Sequence, residues 1–377
     1  MDWRNEFFDF ENIAYLNAAS QGPIPRVSAR ALEQAANWKK LPHHIPDSAY
    51  FELPDRVRAR LARLIGGEPG EVALTTGASG GLAAVASGLE WKPDDEVLLA
   101  RGEFPAHFST FAPLAEQGRL KLRIVEPRGR FITADDFIAA MGPRTRLISA
   151  SLVRFDDASR LDAKRLAPAC RAAGALLLLD VSQCVGGLPL DAGELGADFL
   201  VAAGYKWLLS PYGTGFFWVR RALIERLRLG PFYWQALEGA ADFHSLPLTG
   251  WKVSPEARRW DTAETGNFFN LAVMDASLEF LERVGPATVA EHNEALLQQI
   301  VERLPRDRCV LASPAEPAAR GTFLCLAGRS PQVTKQLYER LREGGVIVSL
   351  REGALRIAPH LYNTERDIDR LLGILAV

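Results

Sequence analysis

Continuous apolar runs without polar alternation stand in the middle of the chain and end at charged residues. The run 176–179 enters Asp180, and the segment 198–203, which is apolar from residue 199 onwards, is followed closely by Lys206. Such a run is typical of a strand that is buried on both faces of a parallel sheet. Because open α/β folds bind ligands at the carboxyl edge of their strands, both charged side chains are predicted to lie at a ligand site. Residues 213–219 predict a third strand beside these two.

The same patterns predict the remaining elements. Further strands are predicted at 72–75, 96–100, 120–125, 146–153, 321–326 and 346–350, and helices at 27–40, 53–65, 135–141, 163–173, 220–229, 269–283, 286–304, 332–343 and 364–375. Asn363 is the expected cap of the last helix. This order predicts an α/β fold with a large domain, whose mostly parallel central sheet is flanked by helices, and a small C-terminal α/β domain. The predicted parts are an arm at 1–13 that joins the small domain, a large cofactor-binding domain at 14–258 and the small domain at 259–377.

Composition excludes several classes of protein. The chain has 377 residues and a formal net charge of −2, so it presents no basic field for nucleic acid or an anionic membrane. It contains no apolar stretch of roughly 18 residues, and its acidic start is unlike a secretory signal. The four cysteines form no CxxC pair, and the adjacent His43 and His44 have no third ligand at metal spacing. We therefore expect a cytoplasmic protein without a metal site.

Asp180 and Lys206 suggest a specific chemistry. A carboxylate and an amine are costly to bury unless they serve a function or pair with each other. Asp180 suits a cationic ring nitrogen, while a desolvated Lys206 loses its proton readily and becomes a nucleophile. Gln183 can donate to a phenolic oxygen. Pyridoxal phosphate needs these three groups, although a structural salt bridge between Asp180 and Lys206 remains the alternative.

The segments DVSQ and LGADFLVAAGYKWLLSPYGTGFFWVR resemble the core of the class V aminotransferases. These are fold type I pyridoxal-phosphate enzymes, which include cysteine desulfurases, kynureninases and isopenicillin-N-epimerase-like proteins. The resemblance extends from AYLNAASQGPIP to LRIAPHLYNTERDIDRLL. It implies that Lys206 binds the cofactor aldehyde, that Asp180 lies at the pyridine nitrogen and Gln183 at the ring oxygen, and that Tyr205 adjoins the cofactor.

The glycine-rich turn TTGASGG follows a predicted strand and opens a helix, which is a typical anion-binding arrangement. Gly77, Ala78 and Ser79 are the predicted phosphate ligands. Relatives often have a hydroxyl residue where Ala78 stands, so Ser79 is the expected side-chain donor. A dinucleotide-binding Rossmann protein is the alternative, but the turn lacks GxGxxG, and Lys206 would then have no role.

The resemblance also implies residues that face the ring and the substrate. Phe104 of EFPAH is expected to stack on the pyridine, with His107 nearby. Arg356 is expected to hold the substrate carboxylate through a two-pronged guanidinium contact. The loop NAASQGPIP, which contains Asn17, is expected near the substrate.

The segment ARRWDTAETGNFF resembles the part of these enzymes that reaches across a dimer to the partner's phosphate. The usual Gly-Thr pair of that segment is not recognisable here. Thr262, Thr265 and Asn267 are the polar candidates, Thr265 for the cofactor and Asn267 for the substrate. We therefore expect a homodimer with shared active sites.

The predicted function is that of a pyridoxal-phosphate-dependent enzyme that acts at Cα of an amino acid, as a class V transaminase. Phe104-Pro105 favours kynureninase-like lyase chemistry, and the C-terminal ending favours an epimerase. A non-catalytic homologue is a further alternative, against which Asp180, Gln183 and Lys206 argue. No cysteine is expected to be catalytic, because REGAL is too short to form the mobile cysteine loop of the desulfurases.

Overall fold

The structure is a computed structural model that describes residues 3–246 and 249–377. Its strands are β1 (Ala14–Tyr15), β2 (Val72–Thr75), β3 (Glu96–Ala100), β4 (Lys121–Val125), β5 (Thr145–Ser151), β6 (Leu176–Asp180), β7 (Phe199–Ala203), β8 (Gly215–Val219), β9 (Cys309–Leu311), β10 (Leu324–Gly328), β11 (Val346–Ile347), β12 (Ser349–Arg351) and β13 (Ala354–Ile357). Its α-helices are α1 (Arg26–Lys40), α2 (Ala49–Leu64), α3 (Ala78–Gly88), α4 (Pro105–Glu116), α5 (Ala134–Ala140), α6 (Ala163–Ala173), α7 (Ala192–Leu195), α8 (Phe268–Val284), α9 (Pro286–Arg303), α10 (Pro331–Glu343) and α11 (Glu365–Ala376).

A seven-stranded sheet in the order β2-β8-β7-β6-β5-β3-β4 forms the centre of the molecule. Strands β3 to β7 pair in parallel with their neighbours, whereas β8 runs antiparallel to both β2 and β7. Helices cover both faces, since Leu177 and Leu179 of β6 enter one apolar core and Leu178 enters another. This burial on two sides explains the unbroken leucine run. The predicted mostly parallel sheet flanked by helices is confirmed.

A smaller antiparallel sheet in the order β12-β13-β10-β9 lies in the C-terminal part of the chain. Its two faces pack differently. Leu324, Leu326 and Leu355 contribute to a core with α9, α10 and α11. Cys325 and Ala354, on the opposite face, join the core shared with the large sheet. The small sheet therefore turns one face towards the large domain.

The N-terminal segment packs on the C-terminal part. Strand β1 pairs in parallel with β11, with Ala14 opposite Val346. Phe7 makes edge contacts with the rings of Phe280 and Tyr362, 5.7 and 5.2 Å between centroids. The boundaries at 13/14 and 258/259 stay predictions. No helix in the described part of the chain is long and apolar enough to cross a membrane.

Two local predictions are wrong. The helix expected at 220–229 is a single 3-10 turn at Arg221–Leu223, because the N–H of Arg228 donates to Gly88 at the end of α3 instead of continuing a helix. The last helix is capped by Thr364 rather than Asn363, and the N–H of Thr364 donates to the carboxylate of Asp367 in the first turn at 2.8 Å.

Candidate functional site

Asp180 and Lys206 lie at neighbouring strand ends of the large sheet. Asp180 ends β6, and Lys206 stands three residues beyond the end of β7, which pairs with β6. The Ser182 hydroxyl accepts a hydrogen bond from the N–H of Ala203 at 2.8 Å, which ties the two strand ends together. Both side chains are buried, with exposed fractions of 6% for Asp180 and 7% for Lys206. The sheet edge therefore holds a carboxylate and an amine away from bulk water.

The Lys206 amine has aromatic neighbours and no carboxylate partner. Its Nζ lies 5.3 Å from the ring centroid of Phe104 and 5.6 Å from that of Tyr205. Within residues 3–246 and 249–377, no carboxylate oxygen comes within 4.0 Å of it. Burial lowers the pKa of Lys206 to about 8; Asp180 opposes this shift, while Arg356 and Arg351 add to it. The structural salt bridge considered from the sequence is thus absent.

Two basic side chains, His107 and Lys206, stabilise the charged form of Asp180. The Nε2 atom of His107 lies 3.7 Å from a carboxylate oxygen of Asp180, and Nδ1 lies 2.7 Å from the Ser149 hydroxyl. The other carboxylate oxygen accepts the N–H of Ser182 at 2.7 Å. Burial raises the pKa of Asp180, but His107 and Lys206 outweigh burial, so that the pKa lies below its usual range. Burial likewise lowers the pKa of His107, yet Asp180 and Glu103 bring it above its usual value.

The Phe104 ring is fixed from its backbone and from its edge. The N–H of Phe104 donates to Glu103 at 2.8 Å, and the same carboxylate accepts from the Ser151 hydroxyl at 2.6 Å. Phe155 packs edge-on against the ring, with centroids 5.2 Å apart. Phe104 is only partly buried. One wall of the site is therefore an aromatic ring that is held in place by β5 and by the loop after it.

Gln183 connects the sheet edge to the N-terminal loop. Its amide nitrogen donates to the carbonyl of Ala19 at 3.0 Å, and its amide oxygen accepts from Trp207 at 3.1 Å. The loop approaches Lys206 closely, since a Cβ added to Gly22 would stand 2.0 Å from the Lys206 carbonyl oxygen. Glycine is therefore required at position 22 for this packing.

The turn after β2 leaves a helix N-terminus available for an anion. Gly77 caps α3 without any side-chain hydrogen bond, so the first N–H groups of the helix keep their capacity to bind a ligand. Ala78 is buried and Ser79 is exposed in this first turn. The arrangement suits a phosphate, with Ser79 as the hydroxyl donor.

Arg356 of the small sheet has an exposed fraction of 3% and an incompletely satisfied guanidinium. One Nη donates to the Phe155 carbonyl at 3.1 Å, while Nε has no hydrogen-bond partner in the described structure. Burial lowers its pKa to about 10. Asn17 lies beside the same sheet, where its amide oxygen accepts from the Ser349 hydroxyl at 2.6 Å. A buried guanidinium with free donors is well suited to a carboxylate ligand.

The segment expected to cross a dimer docks on its own chain. Arg58 donates to both carboxylate oxygens of Asp261, at 3.0 and 2.8 Å. Thr265 is buried and donates to the Thr262 carbonyl, while Asn267 caps α8 by accepting the N–H of Asn270. Thr262, Thr265 and Asn267 line a small pocket that also contains Thr75, Thr76 and Gly213. They thus lie near the start of α3, and their binding roles stay predictions.

Four residues of this site were not identified as such from the sequence: Ser149, Ser182, Glu103 and Ser349. Ser149 and Ser151 interrupt the apolar strand β5 at alternate positions, which is the one available signal. The family resemblance predicts His107 near the cofactor, but its contact with Asp180 depends on the packing of α4 against the sheet.

The profile of the family described as Aminotransferase class-V matches residues 13–371, so the chain belongs to that family. Isopenicillin N epimerase of Streptomyces clavuligerus is 30% identical, over 96% of this chain and 94% of its own. A kynureninase of Xanthomonas oryzae pv. oryzae is 28% identical, over 95% of this chain and 89% of the kynureninase.

Solved structures share the fold. The cystine C–S lyase C-DES, in complex with its reaction product cysteine persulfide, superposes with a TM-score of 0.86 at 21% identity, covering 97% of this chain and 98% of its own. The cysteine desulfurase of Thermococcus onnurineus NA1 superposes with a TM-score of 0.83 at 18% sequence identity. The match covers 97% of this chain and 94% of the desulfurase.

The protein is therefore an enzyme of the pyridoxal-phosphate-dependent class V family, and its cofactor is pyridoxal 5′-phosphate. The residues present fit this group: among the residues that the structure describes, Lys206 has no carboxylate partner and the start of α3 has no side-chain cap, while Phe104 offers a ring. Within the described residues, no cluster of three or more His, Cys, Asp or Glu side chains could hold a metal ion.

Proposed function

We propose that the protein is a transaminase in which Lys206 moves the proton at Cα of an amino acid. The observation that supports this most is the buried amine of Lys206, which has no carboxylate partner and faces the rings of Phe104 and Tyr205. With a pKa of about 8, the amine is partly neutral at physiological pH. It can therefore take a proton as a base and return it as an acid.

Bound pyridoxal phosphate supplies an electron sink for the charge that develops at Cα. Asp180, whose pKa is lowered by His107 and Lys206 against the effect of burial, keeps a proton on the ring nitrogen. By holding that proton, Asp180 would favour removal of the Cα proton by Lys206. In a transaminase, Lys206 would return the same proton to C4′ of the bound cofactor.

Three other residues hold the reactants in place in this proposal. Arg356 binds the substrate α-carboxylate, because its Nε has no hydrogen-bond partner among the described residues. Phe104 stacks on one face of the ring. Ser79 and the first N–H groups of α3 hold the phosphate. Fixed placement of this kind favours proton transfer by Lys206.

Product analysis of the protein loaded with pyridoxal phosphate tests the proposal. Amino acids are supplied with and without a keto-acid acceptor, and the products are followed by mass spectrometry and chiral chromatography. Transamination is expected to give the keto acid of the donor and the amino acid of the acceptor in equal amounts. Side-chain cleavage without an acceptor would instead indicate a kynureninase-like lyase.

Epimerisation is the second candidate, and one observation favours it: the 30% identity with isopenicillin N epimerase over 96% of this chain. In deuterium oxide, an epimerase would return the inverted amino acid with deuterium at Cα and no keto acid. That result would replace transamination as the function of this site.

We also propose a homodimer with shared active sites. Trp251 in the 230–266 stretch has an exposed fraction of 54%, and its ring lies 5.7 Å from that of Phe232 between centroids. Trp234 and Phe243 form a further aromatic cluster there with Tyr50. Exposed apolar groups that lie together favour an interface. Sedimentation velocity is expected to give the dimer mass, and a fully active monomer would contradict this.

A cytoplasmic location is proposed from the cysteines. Cys170, Cys184, Cys309 and Cys325 are all free and buried. Free thiols are typical of proteins in a reducing compartment. Fluorescence microscopy of a tagged chain in cells is expected to show it in the cytoplasm.

A further inference from the structure

We infer that the substrate is an amino acid with an acidic side chain and that Arg351 binds its second carboxylate. This inference rests on the proposed function, because it assigns the α-carboxylate to Arg356. It adds a substrate class and a specificity-determining residue to the same site.

The register of the small sheet places the two arginines on one face. Ser349 is opposite Arg356 in the β12–β13 pair, and Arg351 is opposite Ala354. Directly opposed residues of an antiparallel pair share a face, and so do residues two apart in one strand. Arg351, Ala354 and Arg356 therefore lie on the same side of the sheet.

That side is the one turned towards the large domain. Ala354 packs into the core shared with the large sheet, and so does Cys325, which is opposite Arg356 in β10. The opposite side, represented by Leu355, packs into the separate core formed with α9 to α11. Arg351, at the end of β12, is exposed and thus lies at the rim of the face that carries Arg356.

The rim position is confined by a tight hairpin. Glu352 and Gly353 alone connect β12 to β13, and both have positive φ, 45° and 78°. A two-residue connection leaves the position of Arg351 fixed by its strand. From this fixed position the charge of Arg351 acts on Arg356 and on Lys206.

The charges of this face are not balanced by the protein. Among residues 3–246 and 249–377, no carboxylate oxygen lies within 4.0 Å of either guanidinium. The hydrogen bond of Arg351 is to the carbonyl of its neighbour Leu350, at 3.2 Å. Arg351 also lowers the pKa of both Lys206 and Arg356, so its charge acts on groups inside the site.

One α-carboxylate can neutralise Arg356 but leaves Arg351 without a counter-charge. A second carboxylate on the substrate would pair with Arg351, whereas a basic side chain would be repelled by it. A neutral amide of the same shape keeps one acceptor oxygen, but it loses both the second acceptor and the charge pairing. The arrangement therefore favours dicarboxylic amino acids over their amides.

Binding of unreactive acids to the protein loaded with pyridoxal phosphate tests this directly. Glutarate and succinate are compared with butyrate by isothermal titration calorimetry, in the wild type, in Arg351→Gln and in Arg342→Gln. Arg342 is an exposed arginine of the same small domain, on α10, and serves as the matched charge control. We expect the preference for dicarboxylates over butyrate to fall roughly 10-fold in Arg351→Gln and to persist in Arg342→Gln.

Turnover gives the second measurement. The ratio of kcat/KM for glutamate over glutamine, or for aspartate over asparagine, is expected to exceed one in the wild type and to fall about 10-fold in Arg351→Gln. Equal use of acids and amides by the wild type, or an unchanged binding preference in Arg351→Gln, would overturn the inference. Glutarate has no amine and cannot react, so its binding decides this point even if transamination itself proves wrong.

Discussion

Two walls of the candidate active site meet at Lys206 and are built in different ways. The cofactor wall consists of Asp180, His107 and Phe104 at the edge of the parallel sheet. The carboxylate wall consists of Arg351 and Arg356 on the antiparallel sheet. In the first, the charged groups are matched within the protein, since His107 faces Asp180 at 3.7 Å. In the second, each guanidinium donates to a backbone carbonyl, and among the described residues neither has a carboxylate within 4.0 Å.

This difference suggests that the cofactor wall serves the chemical step and the carboxylate wall serves the selection of the substrate. A matched pair keeps its charge state whichever substrate is present, which suits a group that tunes a permanent cofactor. An unmatched buried cation such as Arg356 gains most when a carboxylate arrives, which suits selection of a substrate. Substitutions in the cofactor wall should thus lower kcat for all substrates, whereas those in the carboxylate wall should act on KM and on the choice of substrate.

Lys206→Ala should give the largest effect, since it removes the group that both walls serve. We expect turnover to fall by at least roughly 10³-fold and the borohydride-reducible link between cofactor and protein to disappear. Peptide mass spectrometry after borohydride treatment is the measurement. Lys164→Ala is the control, because that amine lies on the surface and pairs with Glu194 at 2.7 Å. A reduced lysine adduct in the Lys206 variant would disprove the assignment.

Asp180→Asn tests the cofactor wall alone. The isosteric amide keeps the shape and loses the charge that stabilises a protonated ring, so kcat should fall about 10²- to 10³-fold for every substrate. Thermal unfolding in parallel shows whether the fold persists. Activity within a few-fold of the wild type would mean that Asp180 does not act on the ring nitrogen.

Arg356→Gln tests the carboxylate wall. Hydrogen bonds to charged groups contribute about 1.5–3 kcal/mol, so kcat/KM should fall about 10- to 150-fold, mainly through KM. Steady-state kinetics over a range of substrate concentrations separates the two terms. If kcat alone fell, the contrast between the walls would be lost, because Arg356 would then act on the chemistry.

The smallest expected effect is on the pH dependence of cofactor capture. It depends on both walls, because Asp180 raises the pKa of Lys206 whereas Arg356 and Arg351 lower it. Because burial lowers the pKa of Lys206 to about 8, the neutral amine becomes the major form above that pH. Capture of pyridoxal phosphate by the apoprotein should therefore accelerate about 10-fold between roughly pH 7 and 9 and then level off. Stopped-flow absorbance measures this, and a midpoint near the ordinary lysine value would contradict the pKa shift.

The same shift has a consequence for stability. The folded-state pKa of Lys206, about 8, lies below its ordinary value of 10.5. Between these values the unfolded chain binds more protons than the folded one. The contribution of this group to the free energy of unfolding thus rises with pH through that window.

Arg351→Gln should shift the midpoint pH of cofactor capture upwards, because the removed charge helps to lower the pKa of Lys206.

Much of the cofactor wall was predictable from the sequence. Strand β6 is a continuous leucine run because both of its faces are buried, and the residue after such a run falls at the ligand-binding edge. Local pattern and family resemblance together predict that Asp180 and Lys206 lie at that edge. The glycine-rich turn that opens α3 could likewise be identified from a few adjacent residues.

The carboxylate wall and the tuning of Asp180 depended on the tertiary structure. Arg351 and Arg356 share a face because of strand register, which a sequence pattern does not specify for a short hairpin. The contact of His107 with Asp180 joins residues 73 positions apart in the chain through the packing of α4 on the sheet. Local periodicity thus determined which residues end the strands, and the long-range packing of the two sheets decided which charges face each other, since electrostatic pairing depends on distances in space rather than along the chain.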